Sequence, residues 1–334
     1  MTSSWTSLLF AALLAAPSPA ALFGPKPFGV LLLGESGGEG WDKTVAEVRK
    51  NLGTNIPVEA AAGEPNAPDI RRALEKLKAA RVEKIVVVPV YLRTDEEALE
   101  LARYLLGIIK YPPDSYVKGS RSHVGQSIVD RAVTKKGRFP PISMTAALDS
   151  DAALADALLL RVKELSREPE LESVVVAGKG SDDRARAEAI RSVLRRLGKT
   201  VAKLGKFKEV RAALVAPAAA KPRDQMPDFT QQKSPAGPPP PPGGELREAV
   251  KELSRGGRVI VVPFLLEPDG TERAFKKTLE NFFILWNGKG LLPHPRITAW
   301  IQLKAAEGRK YPDMAKERDE GQAAKPPERS KVVR

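Results

Sequence analysis

Runs of consecutive apolar residues, each ending in a short polar loop, set the pattern of this chain. The run at 28–33 contains four branched apolar residues in succession and passes into a glycine-rich, acidic segment at 34–40. A run without polar alternation predicts a strand that is buried on both faces, as in a parallel sheet. Since α/β folds place ligands in the loop after such a strand, the pattern predicts a ligand-binding loop here.

Strand-like runs alternate with segments of helical spacing over the first part of the chain. The predicted strands are 28–33, 56–60 and 84–92, and the predicted helices are 41–52, 67–80 and 95–106, the last with Thr94 as its N-cap. This alternation is typical of a doubly wound α/β fold with parallel strands. The loops after the first and third strands should therefore open at the same edge of the sheet.

A similar series of elements follows in the second part of the chain. Its predicted helices are 151–167, 185–197 and 245–254, and its predicted strands are 173–177, 210–215 and 258–266. The sequence Ile-Val-Val-Val-Pro at 85–89 recurs as Ile-Val-Val-Pro at 260–263, which indicates an internal repeat. We therefore predict an α/β protein of two similar doubly wound parallel-sheet halves, residues 26–142 and 143–303.

Three segments lie outside this pattern. Residues 1–21 contain a short apolar core followed by small residues, which predicts a signal peptide. The protein is then expected to be periplasmic or extracellular. If the segment is not a signal peptide, the protein is expected to be cytoplasmic. Residues 217–244 include five consecutive prolines and are predicted to form a stiff surface insertion. Residues 304–334 are highly charged and are predicted to be a disordered tail.

The composition of the chain limits the kinds of ligand and site that are possible. The net charge is +13, but the basic residues are spread over helix-like segments and aromatic residues make up only 6%, so a generally basic surface is favoured over nucleic-acid binding. Anionic small ligands fit this charge. The absence of cysteine excludes disulfides, thiolate metal sites and cysteine nucleophiles. The two histidines are His123, in a predicted loop, and His294.

The remaining candidate chemistry is based on carboxylates. Neither glycine loop has the spacing of a phosphate-binding or dinucleotide-binding motif. Glu35 and Glu39 in the first loop and the acidic residues Asp95, Glu96 and Glu97 after the third strand are predicted to converge and to bind a divalent cation through oxygen. In the alternative interpretation, the acidic residues 95–97 only oppose the dipole of the helix that they begin. Lys179 either offers a cation to an acidic substrate or is a solvated loop residue.

Four motifs occur in a characteristic order. They are Gly34-Glu35-Ser36-Gly37; Val86–Leu92 with Glu97 and the segment 104–107; Ala177-Gly178-Lys179-Gly180 with Asp182-Asp183; and Gly288–Pro295 with Trp300-Ile301. This order resembles the class II chelatases of tetrapyrrole synthesis, the sirohydrochlorin cobaltochelatases and ferrochelatases, in their two-repeat form. The resemblance implies two α/β halves around a cleft that takes an anionic tetrapyrrole. It also implies a lyase that inserts cobalt or iron, as a substrate, without a nucleotide.

The usual active-site histidines of that family are replaced in this chain. The corresponding positions hold Glu35, Asp95 and Lys179. A neutral imidazole binds borderline metals and accepts a proton near neutral pH, whereas carboxylates are harder ligands and weaker bases. The resemblance therefore implies one of two outcomes. Either metal insertion proceeds in an altered way through Glu35 and Asp95, or the protein retains ligand binding without catalysis.

The resemblance assigns candidate roles to individual residues. Glu35 and Asp95 are the candidate catalytic residues, and Glu35, Asp95 and Glu97 are the candidate metal ligands. The candidate substrate-binding residues are Ser36, Gly37, Lys179, Ser181 and His294.

Two functions of different classes follow from the sequence. The first is a sirohydrochlorin chelatase-like protein of cobalamin or sirohaem synthesis. The alternative is a non-enzymatic, exported protein that binds a tetrapyrrole or a divalent metal. An interaction module that uses the proline-rich insertion is a third interpretation. In each case we expect a monomer or homodimer without stable membrane insertion and without a nucleic-acid partner.

Overall fold

The computed structural model describes residues 28–113, 139–148, 152–181, 183–215, 244–268 and 270–314. The predicted signal peptide and His123 lie outside the described residues. Nearly all of the proline-rich segment and the end of the charged tail, residues 216–243 and 315–334, also lie outside them. Among the described residues, no helix combines the length and the apolar character that a membrane crossing requires.

The first half contains one parallel sheet with the strand order β2-β1-β3-β4. Its elements are β1 Phe28–Gly34, α1 Glu39–Leu52, β2 Val58–Ala62, α2 Ala67–Ala79, β3 Lys84–Val90, α3 Glu97–Leu105 and β4 Ile142–Met144. Gly34 at the end of β1 lies opposite Ala62 of β2 and Val90 of β3. Because β1 is flanked by both strands, the loops after β1 and β3 lie side by side at the carboxyl edge of the sheet.

The second half repeats this strand order as β6-β5-β7-β8. Its elements are α4 Ala152–Lys163, β5 Glu172–Lys179, α5 Arg184–Gly205, β6 Glu209–Val215, α6 Gly244–Leu253, β7 Arg258–Phe264, α7 Thr271–Leu279, β8 Ile284–Leu285 and α8 Pro295–Gly308. Gly178 lies opposite Phe264, in the same relation as Gly34 and Val90 in the first sheet. The prediction of two doubly wound parallel-sheet halves is confirmed.

The two sheets share one hydrophobic core. Along β1, Val30 and Leu32 point into this shared core, whereas Leu31 and Leu33 point to the opposite face and pack in a second cluster with residues of α2 and α3. The second sheet contributes Val174, Val176, Ile260 and Val262 to the shared core. Both faces of the strands β1, β3, β5 and β7 are therefore covered, which explains why these strands read as continuous apolar runs.

Helix α8 follows the second sheet in sequence but packs on the first half. It contacts β3 and α1, as well as α4. At its end, Ser143 Oγ donates a hydrogen bond to the carbonyl oxygen of Gly308 at 2.6 Å, and Lys84 Nζ donates to that of Arg309 at 2.8 Å. The last described helix therefore joins the two halves.

This helix also continues beyond the predicted boundary of the second half. The charged tail was expected to begin at Lys304, but α8 runs to Gly308. The reason is that Ile301 and Ala305 are fully buried in the shared core, so tertiary packing extends the helix into the charged segment.

The start of α3 also differs from the prediction. The helix begins at Glu97 with Glu96 as its N-cap, not at Asp95 with Thr94 as its N-cap. The guanidinium of Arg93 forms two hydrogen bonds with the carboxylate of Asp95, which holds the chain in a turn before the helix.

Candidate functional site

A cleft of about 240 Å³ lies between the two halves. The loops after β1 and β3 form its wall in the first half, and the loops after β5 and β7 with the first turns of α5 form its wall in the second. Its lining residues are Glu35, Leu92, Arg93, Glu96, Lys179, Gly180, Ser181, Arg186, Ile190, Phe264 and Leu265. The carboxyl edge of a doubly wound sheet is where such folds bind ligands, so the cleft is the candidate functional site.

The polar lining of the cleft has an excess of cations. Arg93, Lys179 and Arg186 carry three positive charges, and Glu35 and Glu96 carry two negative charges when ionised. Three minus two gives a formal charge of +1 for the lining. Asp95 and Glu97, which lie outside the lining, pair with Arg93 and Arg186, so the three cations are the groups that can bind an anionic ligand, but the site has no net positive charge once these partners are counted.

Glu35 connects the loops after β1 and β3. Its backbone N–H donates to the carbonyl oxygen of Val90 at 3.2 Å, which continues the strand pairing by one residue. Its Oε2 accepts a hydrogen bond from the backbone N–H of Leu92 at 3.1 Å. These bonds fix the Glu35 carboxylate at the cleft, where the sequence predicted it. Ser36 and Gly37 follow in the same loop but do not line the cleft.

Arg93 is a buried cation that is held by Asp95. Arg93 Nε donates to Asp95 Oδ1 at 2.8 Å and Arg93 Nη2 donates to Asp95 Oδ2 at 2.7 Å. The Arg93 side chain is 5% exposed and that of Asp95 is 60% exposed. Bidentate pairs of arginine and carboxylate restrict the relative orientation of the two side chains. Asp95, the predicted catalytic residue and metal ligand, thus uses both oxygens to orient Arg93 and does not line the cleft.

Glu96 occupies the cleft in place of its neighbour Asp95. Its Oε1 lies 3.8 Å from Arg93 Nε. Burial raises the pKa of Glu96 above its usual value; the charge of Arg93 opposes this shift, Asp95 adds to it, and Arg186 and Lys179 oppose it more weakly. Because burial disfavours its charged form, Glu96 is suited to take up a proton in the cleft.

An ion pair between Glu97 and Arg186 joins the two halves beside the cleft. Arg186 Nη2 donates to Glu97 Oε1. The backbone of Arg186 is fixed by Asp183, the N-cap of α5, whose Oδ1 accepts from the Arg186 N–H at 2.8 Å. The two paired side chains are 38% and 37% exposed, so solvent screens the pair and its stabilisation is small. Glu97, a predicted metal ligand, is engaged in this pair.

The loop after β5 forms the opposite wall of the cleft. Lys179 and Ser181 line the cleft, where the sequence predicted them. Between them, Gly180 donates its N–H to the carbonyl oxygen of Val215 at 2.7 Å, and a Cβ at position 180 would lie 2.8 Å from the same oxygen. A glycine is needed for this close approach. Ser181 Oγ accepts from the N–H of Asp183 at 3.2 Å, which ties the loop to the start of α5.

The predicted metal ligands are not grouped. The part of the chain that the structure describes contains no cluster of three or more His, Asp or Glu side chains that could hold a metal ion. Glu35 lines the cleft, whereas Asp95 is paired with Arg93 and Glu97 with Arg186. The residues present do not form a ready-made three-ligand metal site.

Glu267 is a buried carboxylate at the junction of the halves that sequence reasoning missed. It lies four residues after the proline of β7, as Arg93 lies four residues after the proline of β3. Its Oε1 accepts a hydrogen bond from the backbone N–H of Trp41 at 3.0 Å, in the first turn of α1, where the helix dipole favours a carboxylate. A charged residue directly after a buried strand was the signal for both Arg93 and Glu267.

His294 caps helix α8 and does not line the cleft. Its Nδ1 accepts a hydrogen bond from the backbone N–H of Arg296 at 3.2 Å, and the residue is only 4% exposed. Arg161 of α4 binds the same segment, since its Nε donates to the carbonyl oxygen of Gly290 at 3.0 Å and its Nη2 donates to that of Pro293 at 2.9 Å. The structure thus places His294, a predicted substrate-binding residue, in the packing between α4 and α8.

The position of His294 predicts a pH dependence of stability. Burial lowers its pKa from the ordinary value of 6.5 to about 4, and the charge of Arg161 adds to this shift. The unfolded chain therefore binds the imidazole proton more tightly than the folded protein does. The stability that neutral His294 contributes to the fold is complete above pH 6.5 and is lost as the pH falls towards 4, and the free energy of unfolding decreases by up to roughly 3 kcal/mol. Replacing His294 with asparagine keeps an N-cap acceptor and removes the titrating group.

Urea denaturation of wild type and His294→Asn at pH 7 and pH 4.5 tests this prediction. The wild type should lose more stability than the variant between these two values. The buried carboxylates titrate in both proteins, so they cancel in the comparison. Equal losses in the two proteins would show that His294 does not have a lowered pKa.

Comparison with known proteins identifies the fold. No protein-family model matches the chain, and no curated protein matches it in sequence. The structure matches that of SirB from Bacillus subtilis with Fe³⁺ at a TM-score of 0.54 and 17% sequence identity, over 89% of this chain and 98% of that chain. It also matches a multi-domain protein of Deinococcus radiodurans at a TM-score of 0.51 and 16% sequence identity, over 90% of this chain and 60% of that chain. That protein is described as structurally similar to chelatases, with two additional domains.

The fold is therefore that of the class II chelatases, as the sequence motifs implied. SirB from Bacillus subtilis subspecies spizizenii, which matches at a TM-score of 0.47 and 17% identity over 89% of this chain and 98% of that chain, is described as a sirohydrochlorin chelatase in complex with cobalt. At such identities the likeness establishes the fold alone.

Proposed function

We propose that this protein binds an anionic tetrapyrrole in the cleft between its halves, as a chelatase-like binding protein. The observation that carries the proposal is the placement of Arg93, Lys179 and Arg186 around one cleft at the carboxyl edges of both sheets. The sequence motifs resemble those of the class II chelatases, which act on such a ligand, and SirB from Bacillus subtilis, which shares the fold, is described with Fe³⁺. The carboxylate groups of such a ligand are the partners that these cations would bind.

The lining of the cleft supports this ligand class in two ways. Arginine guanidinium groups recognise carboxylates through two parallel hydrogen bonds, and Arg93 is already oriented by Asp95. Leu92, Phe264 and Leu265 add apolar surface for the ring. The cleft volume of about 240 Å³ is below the roughly 300–1,000 Å³ of small-molecule pockets, so the ring lies partly across the mouth with its carboxylates inside.

Metal insertion, with cobalt or iron as a substrate, is the second candidate function. The observation that favours it is the presence of Glu35 and Glu96 in the same cleft as the cations. Carboxylates bind cations through oxygen, and the raised pKa of Glu96 suits it to accept a proton from the ligand. This reaction would be the lyase activity of cobalamin or sirohaem synthesis.

We also propose that the chain is exported, on the strength of its apolar leader at 1–21, and that its halves are an internal repeat. The shared strand order and the recurring Ile-Val-Val-Pro sequence support the repeat. Export supports the binding function over the reaction, since cobalamin and sirohaem assembly is ordinarily intracellular.

Replacing Lys179 with alanine is expected to weaken tetrapyrrole binding about tenfold, because one charge-assisted contact of about 1.4 kcal/mol is lost. Lys203→Ala, which removes an exposed lysine of α5 outside the cleft, is the matched control. Anaerobic absorbance titrations with sirohydrochlorin measure both affinities. If both variants bind as tightly as the wild type, Lys179 has no part in the site.

A further inference from the structure

A second cavity, of about 500 Å³, lies on the second half at the end of α7 and beside β8. It shares no lining residue with the cleft. Its volume falls within the roughly 300–1,000 Å³ of small-molecule sites. The proposed function of the cleft does not use this cavity.

The apolar wall of this cavity is held in place by aromatic contacts. The ring of Trp286 packs edge-on against the buried ring of Phe275, with 5.9 Å between centroids and 77° between planes. The ring of Phe282 lies under the guanidinium of Arg247, 5.2 Å from its centroid. Leu279 completes the wall. Phe282 and Trp286 both line the cavity and therefore offer aromatic surface to an occupant.

The lining of the cavity is also basic. Arg273, Lys276 and Lys277 line it with exposed side chains, and Glu280 is the one acidic residue in the lining. Lysines in the last turn of α7 also interact favourably with the helix dipole, but this interaction does not account for the aromatic residues beside them. Three cations against one carboxylate give the cavity a field that attracts an anion.

We propose that this cavity is a binding site for a small organic anion with an aromatic body and one acidic group. The rings of Phe282 and Trp286 stack against the body, and Lys276 and Lys277 bind the acidic group. The site is separate from the cleft, so the proposal stands whether or not the cleft binds a tetrapyrrole.

The test uses two fluorescent probes with the same ring system. 8-Anilinonaphthalene-1-sulfonate carries a sulfonate, and N-phenyl-1-naphthylamine lacks it. We expect saturable binding of the sulfonate at one site per chain, at least tenfold tighter than binding of the uncharged probe. Equal affinity for the two probes would overturn the proposal, because the cations would then contribute nothing.

Variants assign the binding to this cavity. Lys276→Ala combined with Lys277→Ala should weaken binding of the sulfonate at least tenfold and leave the affinity for the uncharged probe unchanged. Lys203→Ala is the matched control and should bind as the wild type does. An undiminished affinity of the double variant would overturn the proposal, as would a loss of binding in Lys179→Ala, which would place the probe in the cleft.

A further variant separates this site from a membrane-docking surface. Phe283 is fully exposed beside the cavity but does not line it. Phe283→Ser should bind the sulfonate with wild-type affinity. Association with phosphatidylglycerol vesicles that requires Phe283, without saturable binding of the sulfonate, would replace the proposal with membrane docking.

Discussion

Replacing Ile301 with alanine is expected to destabilise the whole protein by about 2–5 kcal/mol. Ile301 is fully buried in α8, the helix that packs against β3 and α1 of the first half and α4 of the second. Truncating its side chain removes apolar contacts and leaves a cavity in the core that both sheets share. The loss should appear in the unfolding free energy from urea or guanidinium denaturation.

Leu303→Ala is the matched control for this prediction. Leu303 lies on the same helix but is 47% exposed, so its truncation should change the unfolding free energy by less than about 1 kcal/mol. Because the two halves share one core, wild type and both variants should unfold in a single transition. Two separate transitions, with only the second half affected by Ile301→Ala, would contradict the shared core.

Replacing Arg161 with methionine is expected to lower the free energy of unfolding by about 2–6 kcal/mol. The guanidinium of Arg161 donates hydrogen bonds to the carbonyl oxygens of Gly290 and Pro293, and the residue is buried. A buried polar group that loses its partner costs about 1–3 kcal/mol, and here two carbonyl groups lose theirs. Methionine retains much of the apolar stem of arginine, so the change removes these hydrogen bonds and the ion pair of Arg161 with Glu164 but little of the packing.

Lys163→Met makes the same kind of change at an exposed position of α4. It should leave the unfolding free energy within about 0.5 kcal/mol of the wild type. Thermal and urea denaturation compare the two variants. Wild-type stability of Arg161→Met would mean that the segment before α8 does not depend on these hydrogen bonds.

The fold was predictable because burial on both faces leaves a clear pattern. Strands β1, β3, β5 and β7 read as continuous apolar runs, and each is followed by a helical period. The docking of α8 on the first sheet was not predictable in the same way. Its partners lie far away in sequence, and the charges after Lys304 conceal the buried residues Ile301 and Ala305.

The candidate site was predictable only in part. Glu35, Lys179 and Ser181 line the cleft because each lies at or just beyond the carboxyl end of a buried strand. Periodicity does not show which of two neighbouring carboxylates turns inward. Arg93 draws Asp95 into an ion pair and leaves Glu96 at the cleft.

Other assignments depend on contacts between segments that are distant in the chain. Glu97 is paired with Arg186 of the second half, and His294 is fixed by its own helix and lies beside Arg161 of α4. His294 lies between two prolines, and the structure shows that it is the N-cap of α8. Local sequence held no sign of these partners.

An anaerobic absorbance titration of the chain 22–334 with sirohydrochlorin, followed by cobalt or ferrous ion, tests the proposed tetrapyrrole site most directly. We expect a shifted spectrum that saturates at one ligand per chain. Metallation faster than in a protein-free control would add the second candidate function to the first. A spectrum that does not shift at any protein concentration would contradict tetrapyrrole binding in the cleft.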